Sequence, residues 1–151
     1  MRGVQYFTMD KVMAYMPFCH DFGPFNLGMT HHFLQVLKSL FDAPNLRNDK
    51  LIYYTRTDAT SVTNSVFLLG SFLVTHLGAT PEEAWTPFVN LGGMVKPYRD
   101  ATWVPSPYDL HVTECWRGLA KATATGLYHT TNFDEEEYFY CKPLTLITRN
   151  L

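Results

Sequence analysis

The sequence predicts a single mixed α/β domain, and three observations lead to that class. Its 151 residues are 46% hydrophobic and 15% aromatic, which is enough for one buried core but little for two. Short β-like apolar runs alternate with longer segments of helical spacing in the order β, α, β, α, α, α. No repeat, low-complexity tract or Gly/Ser linker divides the chain. We therefore expect a small central sheet flanked by helices.

The first part of the chain is predicted to form three strands and one helix. Val4 to Thr8 and Val12 to Tyr15 are short runs rich in β-branched and aromatic residues on either side of a polar turn. Asn26 can cap a helix whose apolar positions repeat at helical spacing until Pro44. The run 51–55, LIYYT, follows four polar residues and has the composition of a central strand.

Three further helices are predicted beyond that strand. The segment from Val62 to Leu77 is apolar almost all round and is followed by glycine, which predicts the core helix of the domain. Residues 80–83, TPEE, form a capping pattern with proline at the first helical position. Pro87 should kink this helix or end it early, because its ring clashes with the preceding turn. Ser106 resembles the start of a last helix that ends near Gly126.

Charge and cysteine content exclude several functional classes. The net charge is −2, and 12 lysines and arginines are too few to cover a surface that binds nucleic acid. Cys19, Cys115 and Cys141 are far apart and never form C-x-x-C, which predicts neither a disulfide framework nor a zinc site. No segment resembles a signal peptide or a membrane span. We therefore expect an intracellular protein, cytoplasmic or nuclear, without nucleic acid, membrane, metal or cofactor as a partner.

The region around the central strand has the form of an anion-binding element. A strand, a short loop and the N-terminus of a buried helix bring backbone N–H groups and the helix dipole together. Cysteine-dependent protein phosphatases carry H-C-x5-R on this element, and its thiolate attacks phosphorus. Here Tyr53 takes the histidine position, Tyr54 the cysteine position and Thr60 the arginine position. The alternative is an ordinary strand-loop-helix unit unrelated to phosphatases.

The phosphate-binding loop is therefore predicted to be degenerate and inactive. A phenol is a poor nucleophile for this reaction, and threonine lacks the fork of donors that arginine offers to phosphate. We expect the ring of Tyr54 to pack where phosphate would otherwise sit. Cys115 is not predicted to be a nucleophile, because Lys121 occupies the position six residues on and its helical phase places it on a buried face.

Several segments resemble the N-terminal domain of the cell-division-cycle-fourteen dual-specificity phosphatases. They lie in the family's order from about Tyr6 to Tyr138 and read DFGPFNLGMTHHF, KLIYYTRTD, NSVFLLGSFLVTHLGATPEEAW, PYRDAT and TGLYHTTNFDEEEY. The resemblance implies a tandem of two phosphatase-like folds, of which only the C-terminal one carries H-C-x5-R. On that basis residues 1–151 form a non-catalytic N-terminal domain, and the catalytic domain is absent from this chain.

The resemblance also implies a role for acidic residues. The family has an acidic groove that favours a basic residue shortly after a phosphoserine-proline. The candidates here are Asp58 and Asp100, at positions where the family carries Asp, and Asp134, Glu135, Glu136 and Glu137, where it places the acidic link. Without the resemblance this run would be read as a solvated face. The chain departs from the family at Thr60, Ser61 and Val62, where basic residues are usual, and at Pro87.

Two functions are consistent with these residues. The first is recognition of phosphoprotein substrates for a catalytic phosphatase domain, supplied in cis or in trans. The second is a free-standing pseudophosphatase that acts as a protein-binding or scaffold module. They differ in whether a domain with H-C-x5-R works together with this one.

Overall fold

A computed structural model describes residues 3–140 and confirms the mixed α/β class. The elements are β1 (Val4–Phe7), α1 (Leu27–Asp42), β2 (Lys50–Tyr53), α2 (Ala59–Leu77), α3 (Pro81–Trp85), β3 (Tyr98–Arg99), β4 (Asp109–Leu110) and α4 (Val112–Ala124). Short 3-10 helices follow α1 and α3, at Pro44–Leu46 and Thr86–Leu91. Residues 135–140 form a further helical segment at the end of the described chain.

The strands form two small sheets within the described residues. β1 pairs with β2 in parallel, with Val4 opposite Lys50, and β3 pairs with β4 in antiparallel fashion. The prediction of one central sheet is therefore wrong in detail. The centre of the domain is a helix, α2, which packs against α1, α3 and α4.

α2 is the predicted core helix, and two of its buried hydroxyls are satisfied by the helix itself. Thr63 and Ser71 are fully buried, and their hydroxyls donate to the carbonyls of Ala59 and Phe67 one turn earlier. By length and composition α2 could cross a membrane, since an 18-residue window has a mean hydropathy of 1.2. However, 61% of that window is buried inside the domain, as expected for the core helix of a globular fold.

The helix ends show how well local signals specify the backbone. Asn26 caps α1 by accepting the Met29 N–H at 2.9 Å. Gly78 has a φ of 68° after α2, the left-handed conformation that glycine adopts without strain. Thr80 and Glu83 form the predicted capping box of α3. α3 then gives way to the 3-10 helix that contains Pro87, so these four predictions are confirmed.

The predicted strand from Val12 to Tyr15 is wrong. The N–H groups of Val12 and Met13 both donate to the carbonyl of Met9, which closes a turn directly after β1. This turn buries Met9 and Met13 together in the core. Residues 13–17, which follow the turn, are not part of a strand.

The predicted starts of two helices are also wrong. Ser106 does not cap α4, because β4 intervenes and the helix begins after His111. The carboxylate of Glu114 accepts the N–H of His111 at 2.9 Å and completes that cap. α2 begins at Ala59, three residues before the predicted start, with Asp58 as its N-cap.

A close contact between α2 and α4 fixes the packing of the core. Trp116 of α4 is fully buried, and its indole N–H donates to the carbonyl of Phe67 at 3.0 Å. The ring lies directly over Gly70, where a Cβ would come within 1.9 Å of the indole. Only glycine at this position allows the two helices to approach this closely.

We predict that Gly70→Ala lowers the free energy of unfolding by about 3 kcal/mol, because the new methyl group overlaps the indole of Trp116. Gly118→Ala in α4 is the matched control, since a Cβ there has no heavy atom within 4 Å. It should be neutral or stabilising by up to ~1 kcal/mol through helix propensity. Urea denaturation of both variants is the measurement, and equal effects of the two changes would contradict the prediction.

Candidate functional site

A cavity of about 280 Å³ opens at the carboxyl end of the β1–β2 sheet, beside the first turns of α2. In open α/β folds this edge of a parallel sheet is the usual position of a ligand site. The turn after β1, the loop after β2 and one face of α2 surround it. Residues that these elements contribute to its lining include Asp10, Met13, Tyr53, Arg56, Ser61 and Ser65.

Two carboxylates bind hydrogen-bond donors of the loop between β2 and α2. Asp10 accepts the hydroxyl of Thr55 at 2.9 Å and the backbone N–H of Arg56 at 2.9 Å. Asp58 accepts the backbone N–H of Ser61 at 2.9 Å. The guanidinium of Arg56 donates to the Ser61 hydroxyl at 3.0 Å and lies 3.5 Å from Asp58. These donors, which could otherwise hold an anion, are therefore engaged by the protein itself.

Asp58 caps α2 as an ionised carboxylate. The Thr60 hydroxyl donates to it at 2.6 Å, in addition to the Ser61 N–H. These two hydrogen bonds, that from Thr60 first, lower the pKa of Asp58 from 3.8 to about 2. A negative charge at this end of a helix is also favoured by the helix dipole. The start of α2 is therefore stabilised by charge as well as by hydrogen bonding.

The wall of the cavity mixes apolar side chains with polar ones, among them Tyr15, Asp21 and Asn64. Met9, Met13 and Phe25 are buried side chains in its wall. The hydroxyl of Tyr53 lies 3.4 Å from the Oγ of buried Ser65, which is long for a bond between two hydroxyls. Burial raises the pKa of Tyr53, so the phenol is neutral at physiological pH.

The two positions predicted to mark a degenerate loop have different surroundings. The N–H of Tyr54 donates to the carbonyl of Phe7 at 3.0 Å, which continues the pairing of β2 with β1. Its side chain is 53% exposed and is absent from the described lining of the cavity, so the expectation that its ring closes the loop is wrong. Tyr53 points into the cavity instead, because successive side chains of a strand face opposite sides. Thr60 does line the cavity.

The acidic run begins the helical segment that ends the described chain. Asp134 caps this segment by accepting the N–H of Glu137 at 2.8 Å. The carboxylate of Glu135 lies 3.8 Å from a ring nitrogen of His32 on α1. Glu136 and Glu137 are exposed, and neither carboxylate has a hydrogen-bond partner within the described part of the chain. Two of the four acids are thus used locally, and two face solvent.

The six predicted groove carboxylates lie in separate places. The acidic run shares an open groove with His76, in the last turn of α2, whereas Asp58 caps the first turn. The helix between them is about 27 Å long at ~1.5 Å per residue. Asp100 follows β3 on an exposed loop, where its backbone N–H donates to the hydroxyl of Ser106 at 3.0 Å. Asp58 and the acidic run therefore lie near opposite ends of the core helix.

Comparison with known proteins shows the family. The profile of a family described as "Dual specificity protein phosphatase, N-terminal half" matches residues 1–122. The chain belongs to this family. It is 35% identical to dual specificity protein phosphatase CDC14A of Mus musculus over 138 residues, which are 89% of this chain and 23% of the relative. The corresponding values for CDC14A of Homo sapiens are 34% identity over 136 residues, 88% and 23%.

A nematode relative matches a similar share of this chain. Tyrosine-protein phosphatase cdc-14 of Caenorhabditis elegans is 29% identical over 143 residues, which are 89% of this chain and 20% of the relative. The chain therefore spans less than a quarter of the length of these relatives. The family resemblance predicted from the sequence is confirmed.

In this member of the family, Cys115 is poorly suited to attack a substrate. It lies on α4, and burial raises the pKa of its thiol to about 11. A thiol with that pKa is almost entirely protonated at physiological pH. Cys19 precedes the buried Asp21 and donates its N–H to that carboxylate, and Cys141 lies outside the described residues. Among residues 3–140, no group of three or more His, Cys, Asp and Glu is placed to hold a metal ion.

Asp10, Arg56 and Ser65 are site residues that the sequence reasoning missed. Asp10 lies beside the loop after β2 because β1 pairs with β2 in parallel. No local sequence pattern predicts that pairing. Ser65 appears within an apolar helix and gives no sign of facing a cavity. The N-cap role of Asp58 had a usable signal, since an acidic residue just before a helical run is a common cap.

We predict that Asp58→Ala lowers the free energy of unfolding by about 1 kcal/mol at pH 7, through loss of the N-cap. Asp58→Asn keeps a capping side chain but not the charge. The pKa of Asp58 is lower in the folded protein than its ordinary 3.8, so its charge stabilises the fold above about pH 4. That contribution should be lost as the pH falls from about 4 to 2.

The measurement is the difference in unfolding free energy between wild type and Asp58→Asn, from urea denaturation at pH 7 and at stepwise lower pH. The difference should shrink as the pH decreases through the acidic range, because protonated Asp58 and asparagine are both uncharged. A difference that is constant with pH would contradict the assigned charge.

Proposed function

We propose that this chain is a non-catalytic substrate-recognition domain of a cysteine-dependent dual-specificity protein phosphatase. It would act together with a catalytic phosphatase domain, in cis or in trans, on phosphoprotein substrates. The catalytic domain would hydrolyse the phosphomonoester through a cysteinyl-phosphate, which requires no metal. The observation that supports a non-catalytic role is the loop between β2 and α2, where Tyr54 and Thr60 occupy the nucleophile and arginine positions.

The hydrogen bonds of this loop support the same proposal. A phosphate-binding loop needs free N–H groups that point at the anion and a guanidinium that donates hydrogen bonds to its oxygens. Here the N–H groups of Arg56 and Ser61 are bound to Asp10 and Asp58, and the Arg56 guanidinium is bound to Ser61. We propose that the loop is degenerate both in its reactive groups and in its capacity to hold phosphate.

The recognition role is proposed for the acidic run. Glu136 and Glu137 are exposed on the helical segment that ends the described chain, where they can meet the basic residues of a substrate peptide. Asp134 and Glu135 add negative charge, although each also has a contact within the domain. Asp58 and Asp100 remain candidates for the same groove only if a second domain bridges the distance between them and the run.

A free-standing pseudophosphatase, acting as a binding or scaffold module, is the competing proposal. This chain covers only 23% of the length of relatives that are named phosphatases, which favours cooperation with a further domain. The competing proposal predicts that joining a catalytic domain to this chain leaves its substrate preference unchanged.

We predict that the chain alone does not hydrolyse 4-nitrophenyl phosphate. Release of nitrophenol should equal that of a blank with buffer, and Cys115→Ser should make no difference, because the thiol of Cys115 is protonated and partly buried. Turnover that disappears in Cys115→Ser would show that this cysteine is a nucleophile.

We further predict that replacing Glu135, Glu136 and Glu137 by Gln selectively impairs reactions with basic peptides. In a protein that joins this chain to a catalytic phosphatase domain, kcat/KM for phosphoserine-proline peptides followed by Lys or Arg should fall by about threefold to tenfold. This range corresponds to about 0.7 to 1.4 kcal/mol in total, a modest part of what three exposed ion pairs of ~0 to 1 kcal/mol each can contribute. The effect should shrink as the salt concentration rises.

A small aryl phosphate is the control for this experiment, since it cannot reach the acidic run and should be hydrolysed as before. Asp134 is left unchanged because it caps the helical segment. Equal losses on peptide and aryl phosphate would mean that the run supports folding or domain contact. No loss on either substrate would mean that the acidic run is an ordinary solvated surface without a role in recognition.

A further inference from the structure

We propose that one face of α1 holds the acidic run in a fixed orientation and thereby positions it for basic peptides. This docking face consists of Gly28, His31, His32 and Gln35, whose spacings of three and four residues place them on one side of the helix. Each of them meets a different part of residues 128–140. The inference rests on the function proposed above and adds the residues that orient its acidic side chains.

A buried hydrogen bond forms the centre of the docking face. His31 is 5% exposed and Tyr128 is 1% exposed, and the His31 Nδ1 lies 2.8 Å from the Tyr128 hydroxyl. The ring of Phe133 packs against both, with its centroid 4.7 Å from that of His31 and 5.5 Å from that of Tyr128. Burial lowers the pKa of His31, so this imidazole is neutral at pH 7. A buried polar pair of this kind favours one arrangement of the elements that it joins.

Gly28 allows the terminal helical segment, residues 135–140, to lie directly on α1. A Cβ at this buried position would come within 2.7 Å of the Phe139 ring and 2.8 Å of the Tyr138 ring. The turn before the segment is held by Gln35, whose side-chain amide donates to the carbonyl of Thr130 at 2.8 Å. A side chain at residue 28 would therefore push the segment away from α1.

The docked segment turns a defined pair of carboxylates to solvent. Glu135, Tyr138 and Phe139 are spaced like i, i+3 and i+4 and face α1, where the Glu135 carboxylate lies 3.8 Å from a ring nitrogen of His32. Glu136 and Glu137 lie on the remaining surface of the segment and are exposed. A segment released from α1 would keep these charges but not their direction, and a peptide would then bear the cost of ordering them.

The first test measures the order of the segment in the full chain, by ¹⁵N NMR relaxation of its backbone amides. In wild type we expect order parameters of about 0.8 for residues 135–138, and in Gly28→Ala values below about 0.6. Alanine is the better helix former, so α1 itself is not weakened by this change. Tyr128→Phe, which removes only the hydroxyl, should lower the same values to a smaller extent.

Gly118→Ala is the matched control for this measurement. It makes the same substitution within a helix, at a position where a Cβ has no heavy atom of the described residues within 4 Å. The order parameters of residues 135–138 should stay at their wild-type values in this variant. Unchanged order parameters in both Gly28→Ala and Tyr128→Phe would overturn the proposal.

The second test is kinetic, in the protein that joins this chain to a catalytic phosphatase domain. For phosphoserine-proline peptides followed by Lys or Arg, Gly28→Ala should raise KM by about twofold to fivefold and leave kcat unchanged. Hydrolysis of 4-nitrophenyl phosphate should not change. Because Gly28 acts through the acidic run, the same substitution should have no further effect once Glu135, Glu136 and Glu137 are replaced by Gln.

The kinetic outcomes separate this inference from the recognition function. An undiminished effect of Gly28→Ala in the glutamine background, or an equal loss with the aryl phosphate, would overturn the positioning role. Wild-type kinetics of Gly28→Ala, in a protein that the glutamine replacements do impair, would overturn it as well. If the glutamine replacements have no effect although Gly28→Ala releases the segment, the recognition function fails and the structural hold of α1 on the acidic run is confirmed.

Discussion

The contact between Trp116 and Gly70 is the constraint on which the rest of this domain depends. Because residue 70 has no side chain, the indole lies directly on the backbone of α2 and reaches the carbonyl of Phe67. α4 thereby packs on one side of α2, and α1 and the β1–β2 sheet pack on another side. This arrangement holds the first turn of α2 at the carboxyl end of the sheet, where the cavity opens.

The β2–α2 loop has the backbone form of an anion-binding element, but several of its donors bind carboxylates of the same chain. A strand still leads through a short loop to the N-terminus of a buried helix. The N–H groups that this geometry presents need partners in any case, because unpaired backbone groups are costly. Asp10 and Asp58 supply partners for two of them, the N–H groups of Arg56 and Ser61. The two carboxylates therefore bind donors on both sides of the start of α2.

The cavity and the acidic run lie near opposite ends of α2. The cavity lies beside the first turns of this helix, and the acidic run lies in a groove with its last turn. The space beside the first turns of the helix is therefore separate from the groove at its last turn.

The sequence by itself determined the class of fold, the family and most helix ends. Some features depend only on a few neighbouring residues and can be predicted from the sequence. They are the caps at Asn26 and Thr80 and the left-handed conformation of Gly78. Only the tertiary structure decided which strands pair, that Tyr53 rather than Tyr54 faces the cavity, and that Asp10 binds the loop. The pairing of β1 with β2 and the contacts of Asp10 join residues some 45 positions apart. Such contacts are selected by burial and hydrogen bonding in the whole fold, so neighbouring residues in the sequence give no pattern that predicts them.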